Sequence, residues 1–252
     1  VTVSPPPFET IAYGEHEDTV FDVHRPDGPA SGTTVVLLHG GFWREQYRRD
    51  LMAPLVPSLL ARGHVVVNLE YRRVGGAGGW PTTFEDVAAG VDALADVVGV
   101  DPERVVTVGH SAGGHLAVWA AARHRLPDDA PGAGPVVRPC HAISQAGVVV
   151  LDDAVAAGLG NAAVTDLLGG ENAERRAVAD PSALLPLGVS VTLVHGDEDD
   201  TVPVAQSRTW VTRAKAAGDT ARLITRPGDH LAVIQPTHAL WADVLDVLDA
   251  AC

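Results

Sequence analysis

A single serine stands among small residues in the stretch Gly109-His110-Ser111-Ala112-Gly113. A β-branched run, Val105-Val106-Thr107-Val108, leads into it, and helix-like spacing follows. The pattern G-x-S-x-G at a strand-to-helix turn is that of a nucleophile elbow. So sharp a turn strains the serine backbone, and a side chain two residues before or after it would collide with its neighbours. Glycine at both places relieves the clash. The helix that starts at Ala112 aims free N–H groups at the spot where a negative oxygen would form. The chemistry is attack of a hydroxyl on a carbonyl.

A serine hydroxyl needs a base to take its proton, and histidine is the usual one. The order along the chain for this arrangement is serine, acid, histidine. The stretch "LITRPGDHLAVIQP" places His230 in a loop after a strand, whereas the rival His238 lies where a last helix should begin. The acid is sought in "VTLVHGDEDDTVP". The spacing Gly196-x-x-Asp199-x-x-Val202-Pro203 points to Asp199, with Asp200 as runner-up and Asp197 as a turn-shaping residue. The acidic run lacks the alternating ligand spacing of a calcium loop. A fourth element, "LLHGGFWRE", ends a strand at His39 and offers two glycines. Such a loop lets backbone approach a substrate, so Gly41 and Phe42 N–H, with Ala112 N–H, are the expected oxyanion donors.

These residues need a scaffold. Eight segments read as strands, the later ones alternating with helices. That pattern implies an α/β fold with a mostly parallel sheet covered on both faces. The clearest helix covers 80–99: Phe84, Val87, Ala88, Val91, Leu94 and Val98 recur at three- and four-residue steps, and Thr82 with Glu85 forms a capping box. The 252 residues are expected to form one domain, with the irregular stretch 126–186 containing a cap insertion over the C-terminal edge of the sheet.

Composition excludes several classes. A net charge of −14 and a single lysine, Lys215, repel nucleic acid and anionic lipid. No apolar run is long enough to span a bilayer, and "VTVSPPPFET" lacks the basic and apolar regions of a signal peptide. Cys140 and Cys252 fit no metal spacing and no disulfide framework, which implies a reducing, cytoplasmic setting. The expected partner is a small-molecule substrate, taken by a monomer or homodimer.

Ser111, Asp199, His230 and the His39-Gly40-Gly41-Phe42-Trp43 loop together resemble the α/β-hydrolase fold over nearly the whole chain. The nearest resemblance is to the branch holding kynurenine formamidases (arylformamidases) and hormone-sensitive-lipase-like carboxylesterases. "HGGFW" is similar to the HGG-aromatic-Trp loop of the formamidases more than to the three-glycine loop of the esterases. "GHSAGGHLA" is shared by both groups, and "DHLAVI" resembles the formamidase Asp-His-Phe stretch with leucine in place of phenylalanine. The resemblance implies an eight-stranded sheet with a small cap, a Ser-His-Asp acyl transfer and no metal or organic cofactor. It implies an N-formylkynurenine-like aryl formamide as substrate, with short-chain esters as the alternative. A peptidase of the prolyl-oligopeptidase type and a non-catalytic binding protein on the same scaffold rank lower. For a flat aromatic leaving group, Phe42, Trp43, Tyr47 and Trp80 are the candidate walls. Arg44 or Arg72 is the candidate partner of a substrate carboxylate.

Overall fold

Eight strands form one sheet in the order β1-β2-β4-β3-β5-β6-β7-β8. They are β1 (Glu9–Ala12), β2 (Val20–His24), β3 (Thr34–Leu38), β4 (Val65–Leu69), β5 (Val105–His110), β6 (His141–Gln145), β7 (Ser190–Gly196) and β8 (Ala221–Arg226). The computed structural model describes residues 6–252, so part of the stretch on which the signal-peptide reading rests lies outside the described residues. Among the described residues, only the pairings of β2, with β1 and with β4, are antiparallel. From β4 onward every pairing is parallel. The central strands β3, β4 and β5 are buried along their whole length. That is why their sequences read as continuous apolar runs rather than alternations.

Helices cover both faces. On one lie α2 (Thr82–Asp92), α3 (Ala112–Ala122) and α7 (Ala205–Ala216), which bury Phe84, Leu116, Trp119 and Trp210 in one core. On the other lie α1 (Val56–Ala61) and α8 (Ala239–Asp249), which bury Leu59, Trp241, Val244 and Leu248 in a second. Every residue of α3 is buried, so its sequence shows no polar face. The parallel register aligns Leu38 with Gly109 and Gly109 with Ser144, so β3, β5 and β6 end side by side. Loops leaving that edge are where an open parallel sheet builds its site.

Two expectations need correction. The first is the capping box: α2 starts at Thr82 after Pro81, with no side-chain cap. The Thr83 hydroxyl instead donates to the Arg72 carbonyl (2.6 Å) and accepts from Gly79 N–H (3.0 Å). The stretch 126–186, where the cap is expected, also holds the strand β6. The helical excursion is α4 (Leu151–Ala156), α5 (Ala163–Leu168) and α6 (Ala173–Ala179), between β6 and β7. No helix is expected at α6 from the apolar pattern; its sequence signal is Asn172, whose side chain accepts from Arg175 N–H at 2.9 Å. The second correction concerns the cysteines. Cys140, just before β6, forms a disulfide with Cys252, their Cα atoms 6.0 Å apart. The expectation of a reducing, cytoplasmic setting rests on unpaired thiols, and the pairing removes that ground. Among the described residues no helix is long and apolar enough to cross a membrane.

Candidate active site

Ser111 occupies the bend between β5 and α3 with φ 56° and ψ −118°, a conformation rare for any residue with a side chain. The flanking glycines make the bend possible. A Cβ on Gly109 would run into the Gly113 carbonyl, and one on Gly113 into the Leu38 carbonyl. Both obstacles are backbone and cannot swing aside. Gly40 passes as close: its Cβ would sit 2.8 Å from the His110 carbonyl oxygen and 2.9 Å from the Ser111 Cβ. The loop after β3 is thereby pressed against the elbow.

That loop carries two further residues in the left-handed region, Phe42 (φ 51°) and Trp43 (φ 56°), beside Gly41 (φ 107°). Non-glycine residues held there cost about 1–3 kcal/mol each and persist only where their surroundings over-determine them. Here Val74 N–H donates to the Trp43 carbonyl (2.8 Å), Arg44 N–H donates to the Gly41 carbonyl (3.0 Å), and Arg44 Nη2 donates to the Gly160 carbonyl (2.6 Å). Among the described residues, the N–H groups of Gly41, Phe42 and Ala112 find no acceptor. They are the three expected as oxyanion donors.

His230 follows β8. Its Nδ1 lies 2.7 Å from Asp199 Oδ2. A carboxylate only accepts, so Nδ1 carries the proton and Nε2 is left as the base. The other oxygen of Asp199 takes the N–H groups of Thr201 (2.9 Å) and Val202 (2.8 Å). Asp199 thus shapes the turn as well as facing the imidazole, a role the sequence reading gives to Asp197. Asp200 is exposed and meets the Thr201 hydroxyl at 3.3 Å, so of the two candidate acids it is Asp199 that faces the imidazole. Burial pushes the Asp199 carboxyl up, but hydrogen bonds from His195, His230 and Val202 N–H together outweigh it. They hold the carboxyl well below the ordinary carboxylate range. His238 caps α8 by accepting from Leu240 N–H at 3.2 Å, so it stands apart from the site.

Ser111 and His230 line one cavity of about 330 Å³, and no direct hydrogen bond joins them in this state. Catalytic hydrogen bonds are often long until substrate binds. Gly41, His110 and Thr201 also line it, and the rest of the wall is apolar or aromatic: Phe42, Tyr47, Leu51, Leu231 and Ile234. Tyr47 and Leu231 form an exposed lip, 36% and 54% accessible. Trp43 and Trp80 are not among the lining residues. Trp43 is fully buried with its ring edge-on to His115 at 5.2 Å, and Trp80 packs on Phe84 at 5.3 Å. Nor do the two arginines reach the cavity. Arg44 is tied to the Gly160 carbonyl, and Arg72 is gripped by both oxygens of Asp86 at 2.8 and 2.6 Å.

Three polar residues around the site escape the sequence reading. Glu70, buried at the end of β4, accepts from His39 Nε2 (2.9 Å) and Arg49 N–H (3.0 Å) and so anchors the start of the Gly40-Gly41 loop. Burial raises its pKa, yet His39, Arg49 N–H and Arg73 outweigh burial and keep it below the ordinary value. His110 donates Nε2–H to the His230 carbonyl at 3.0 Å, and the two rings lie 4.7 Å apart. Burial, with His230 beside it, drives the His110 pKa down to about 3, so the ring is neutral and pins the backbone of the candidate base. His195 is the third, and it contacts Asp199 Oδ2 at 3.2 Å.

Known proteins are similar to this chain in sequence and in fold. "Probable carboxylic ester hydrolase LipM" of Mycobacterium tuberculosis is 35% identical over 129 residues, covering 48% of this chain and 30% of that protein. "Esterase LipQ" of the same organism is 26% identical over 238 residues, covering 82% of this chain and 52% of its own. The chain thus spans about half or less of the length of these two curated relatives. Among solved structures, an inhibited Esterase B from Lactobacillus rhamnosis superposes with a TM-score of 0.82 at 20% identity, over 96% of this chain and 86% of that one. A truncated carbohydrate esterase from gut microbiota gives 0.81 at 18% identity, over 96% and 94%. These likenesses show the α/β-hydrolase fold. The family model BD-FAE matches residues 21–213, from β2 through α7, a span that holds the Gly40-Gly41 loop, Ser111 and Asp199. The chain belongs to the BD-FAE family.

Proposed function

We propose that this protein is a serine hydrolase that cleaves short-chain carboxylic esters through an acyl-enzyme. The observation that carries the reading is His230, paired with Asp199, in one cavity with Ser111, on a chain whose Gly41, Phe42 and Ala112 N–H groups have no acceptor among the described residues. His230 Nε2 takes the Ser111 proton as the hydroxyl adds to the ester carbonyl. Asp199 fixes the tautomer and stabilises the imidazolium. The oxyanion forms against the N–H groups of Gly41, Phe42 and Ala112, an interaction whose loss costs about a hundredfold or more per donor. His230 then protonates the leaving alcohol, and water, activated by the same imidazole, releases the acid. The esterase names of the relatives support this chemistry over an aryl formamide.

Two features of the cavity favour a neutral ester over N-formylkynurenine. No arginine or lysine lines it to receive a substrate carboxylate, and the chain's charge of −14 opposes anions at long range. The tryptophan of the HGGFW loop, on which the formamide reading leans, packs in the core. A space of about 330 Å³ suits a small acyl group. The test is turnover of aryl acetates and butyrates beside N-formylkynurenine, with a fluorophosphonate label. Ester turnover and labelling that both vanish in Ser111→Ala are expected. Turnover of the formamide alone, or labelling that survives in Ser111→Ala, would overturn the reading.

A further inference from the structure

Asp199 faces two imidazoles with one oxygen. His230 Nδ1 lies 2.7 Å from Oδ2, and His195 Nε2 lies 3.2 Å from that same atom. His195 is fully buried at the end of β7. Its Nε2 is also 2.8 Å from the Val202 carbonyl, which can only accept, so Nε2 carries the proton and forks it between Val202 O and Asp199 Oδ2. Its Nδ1 is 2.8 Å from the hydroxyl of Ser207, itself fully buried in the first half of α7, which donates to it when the ring is neutral. One ring thus joins the end of β7, the Asp199–Val202 turn and α7.

We propose that His195 is a positioning residue for acyl transfer: its N–H holds the Asp199 turn and competes with His230 for a single carboxylate oxygen. This deepens the serine-hydrolase reading and rests on it. A histidine that merely filled the core would be replaceable by any side chain of similar shape. A competing donor has a further consequence. With it gone, the whole charge on Oδ2 faces His230, the imidazolium is favoured, and the His230 titration moves upward. The other groups facing His230 are few. From β5 comes His110, bonded to its carbonyl; across the cavity stands Tyr47. Next in the chain is Asp229, whose carboxylate caps the turn through Leu231 and Ala232 N–H at 3.0 and 2.9 Å. None of them contacts Oδ2, so among the described residues His195 is the side chain that shares that oxygen with His230.

The experiment compares wild type with His195→Leu, His195→Gln and Ser207→Ala. kcat and KM for an aryl acetate are measured against pH, and the His230 ring proton is followed by NMR, assigned by its loss in His230→Gln. For His195→Leu a fall in kcat of about tenfold or more with little change in KM is expected. The acid limb and the NMR midpoint should rise together by about half a pH unit or more. His195→Gln restores an N–H near the Nε2 position and should recover both. Ser207→Ala, which loosens the ring, should shift the midpoint the same way by less. Midpoints in His195→Leu and Ser207→Ala that coincide with wild type overturn the proposal. If His195→Leu does not fold, an unmoved His230 titration in Ser207→Ala overturns it alone. An absence of ester turnover in wild type refutes the hydrolase reading instead, and the NMR titration still decides the role of His195.

Discussion

Lowering the pH should unfold this protein through its buried histidines, and the structure sets the slope. His110 and His115 are both buried, and burial holds them down to about 3 and about 4, against an ordinary 6.5. In the unfolded chain both take up protons near 6.5. Between pH 6.5 and about 4 the unfolded state therefore binds two protons at His110 and His115 that the folded state does not. Stability is complete above 6.5 and falls as pH falls, by about 1.4 kcal/mol per pH unit for each group. At pH 5 the two together remove about 4 kcal/mol. That is a large part of the roughly 5–15 kcal/mol a domain possesses. His141, partly exposed and lowered to about 4, adds a solvent-screened contribution of the same sign. The assay is urea unfolding followed by circular dichroism at pH 7, 6, 5.5 and 5, in wild type and in His115→Gln. The glutamine can still donate to the Ala179 carbonyl, which His115 Nε2 meets at 2.8 Å. Its slope should be shallower by about 1.4 kcal/mol per pH unit, whatever its stability at pH 7. Equal slopes in the two proteins, or a wild-type stability flat between pH 7 and 5, would refute the reasoning.

Asp199→Asn should lower kcat by about 10⁴-fold, because the amide presents an N–H to one of its donors and loses the charge behind the imidazolium. Asp200→Asn should stay within a few-fold, and parallel kinetics on the two variants check the assignment of the acid. Gly113→Ala places a methyl group against the Leu38 carbonyl, so little folded protein is expected by size-exclusion chromatography; a well-folded, active variant would contradict the packing of the elbow. Cys252→Ser opens a loop spanning a sequence separation of 112 and should cost about 2–4 kcal/mol, read as a lower urea midpoint than the oxidised wild type.

Features of this protein were legible in the sequence where their cause lies within a few residues. The elbow is one: the collision that requires Gly109 and Gly113 is between neighbours of the same turn, so composition alone reveals it. The strands β3, β4 and β5 are another, since burial on both faces removes polar residues from each run. Asp199 was legible by spacing, because its Oδ1 must reach the N–H groups of Thr201 and Val202 to make the turn. The failures share the opposite cause. Cys140 and Cys252 meet only because α8 returns the chain end to the start of β6. Trp43 reads as a substrate wall until the left-handed pair Phe42–Trp43 is seen to send one ring into the cavity and the other into the core. His39 and Glu70 are 31 positions apart, and only the pairing of Leu38 with Leu69 in adjacent strands puts the two following residues side by side. His195 and Ser207 likewise come from a strand and the helix after it. The groups placed to do chemistry lie in local turns, whereas those that hold them are supplied by register between elements. Register follows from the whole sheet and not from any one segment, so the supporting residues are invisible until the sheet is assembled.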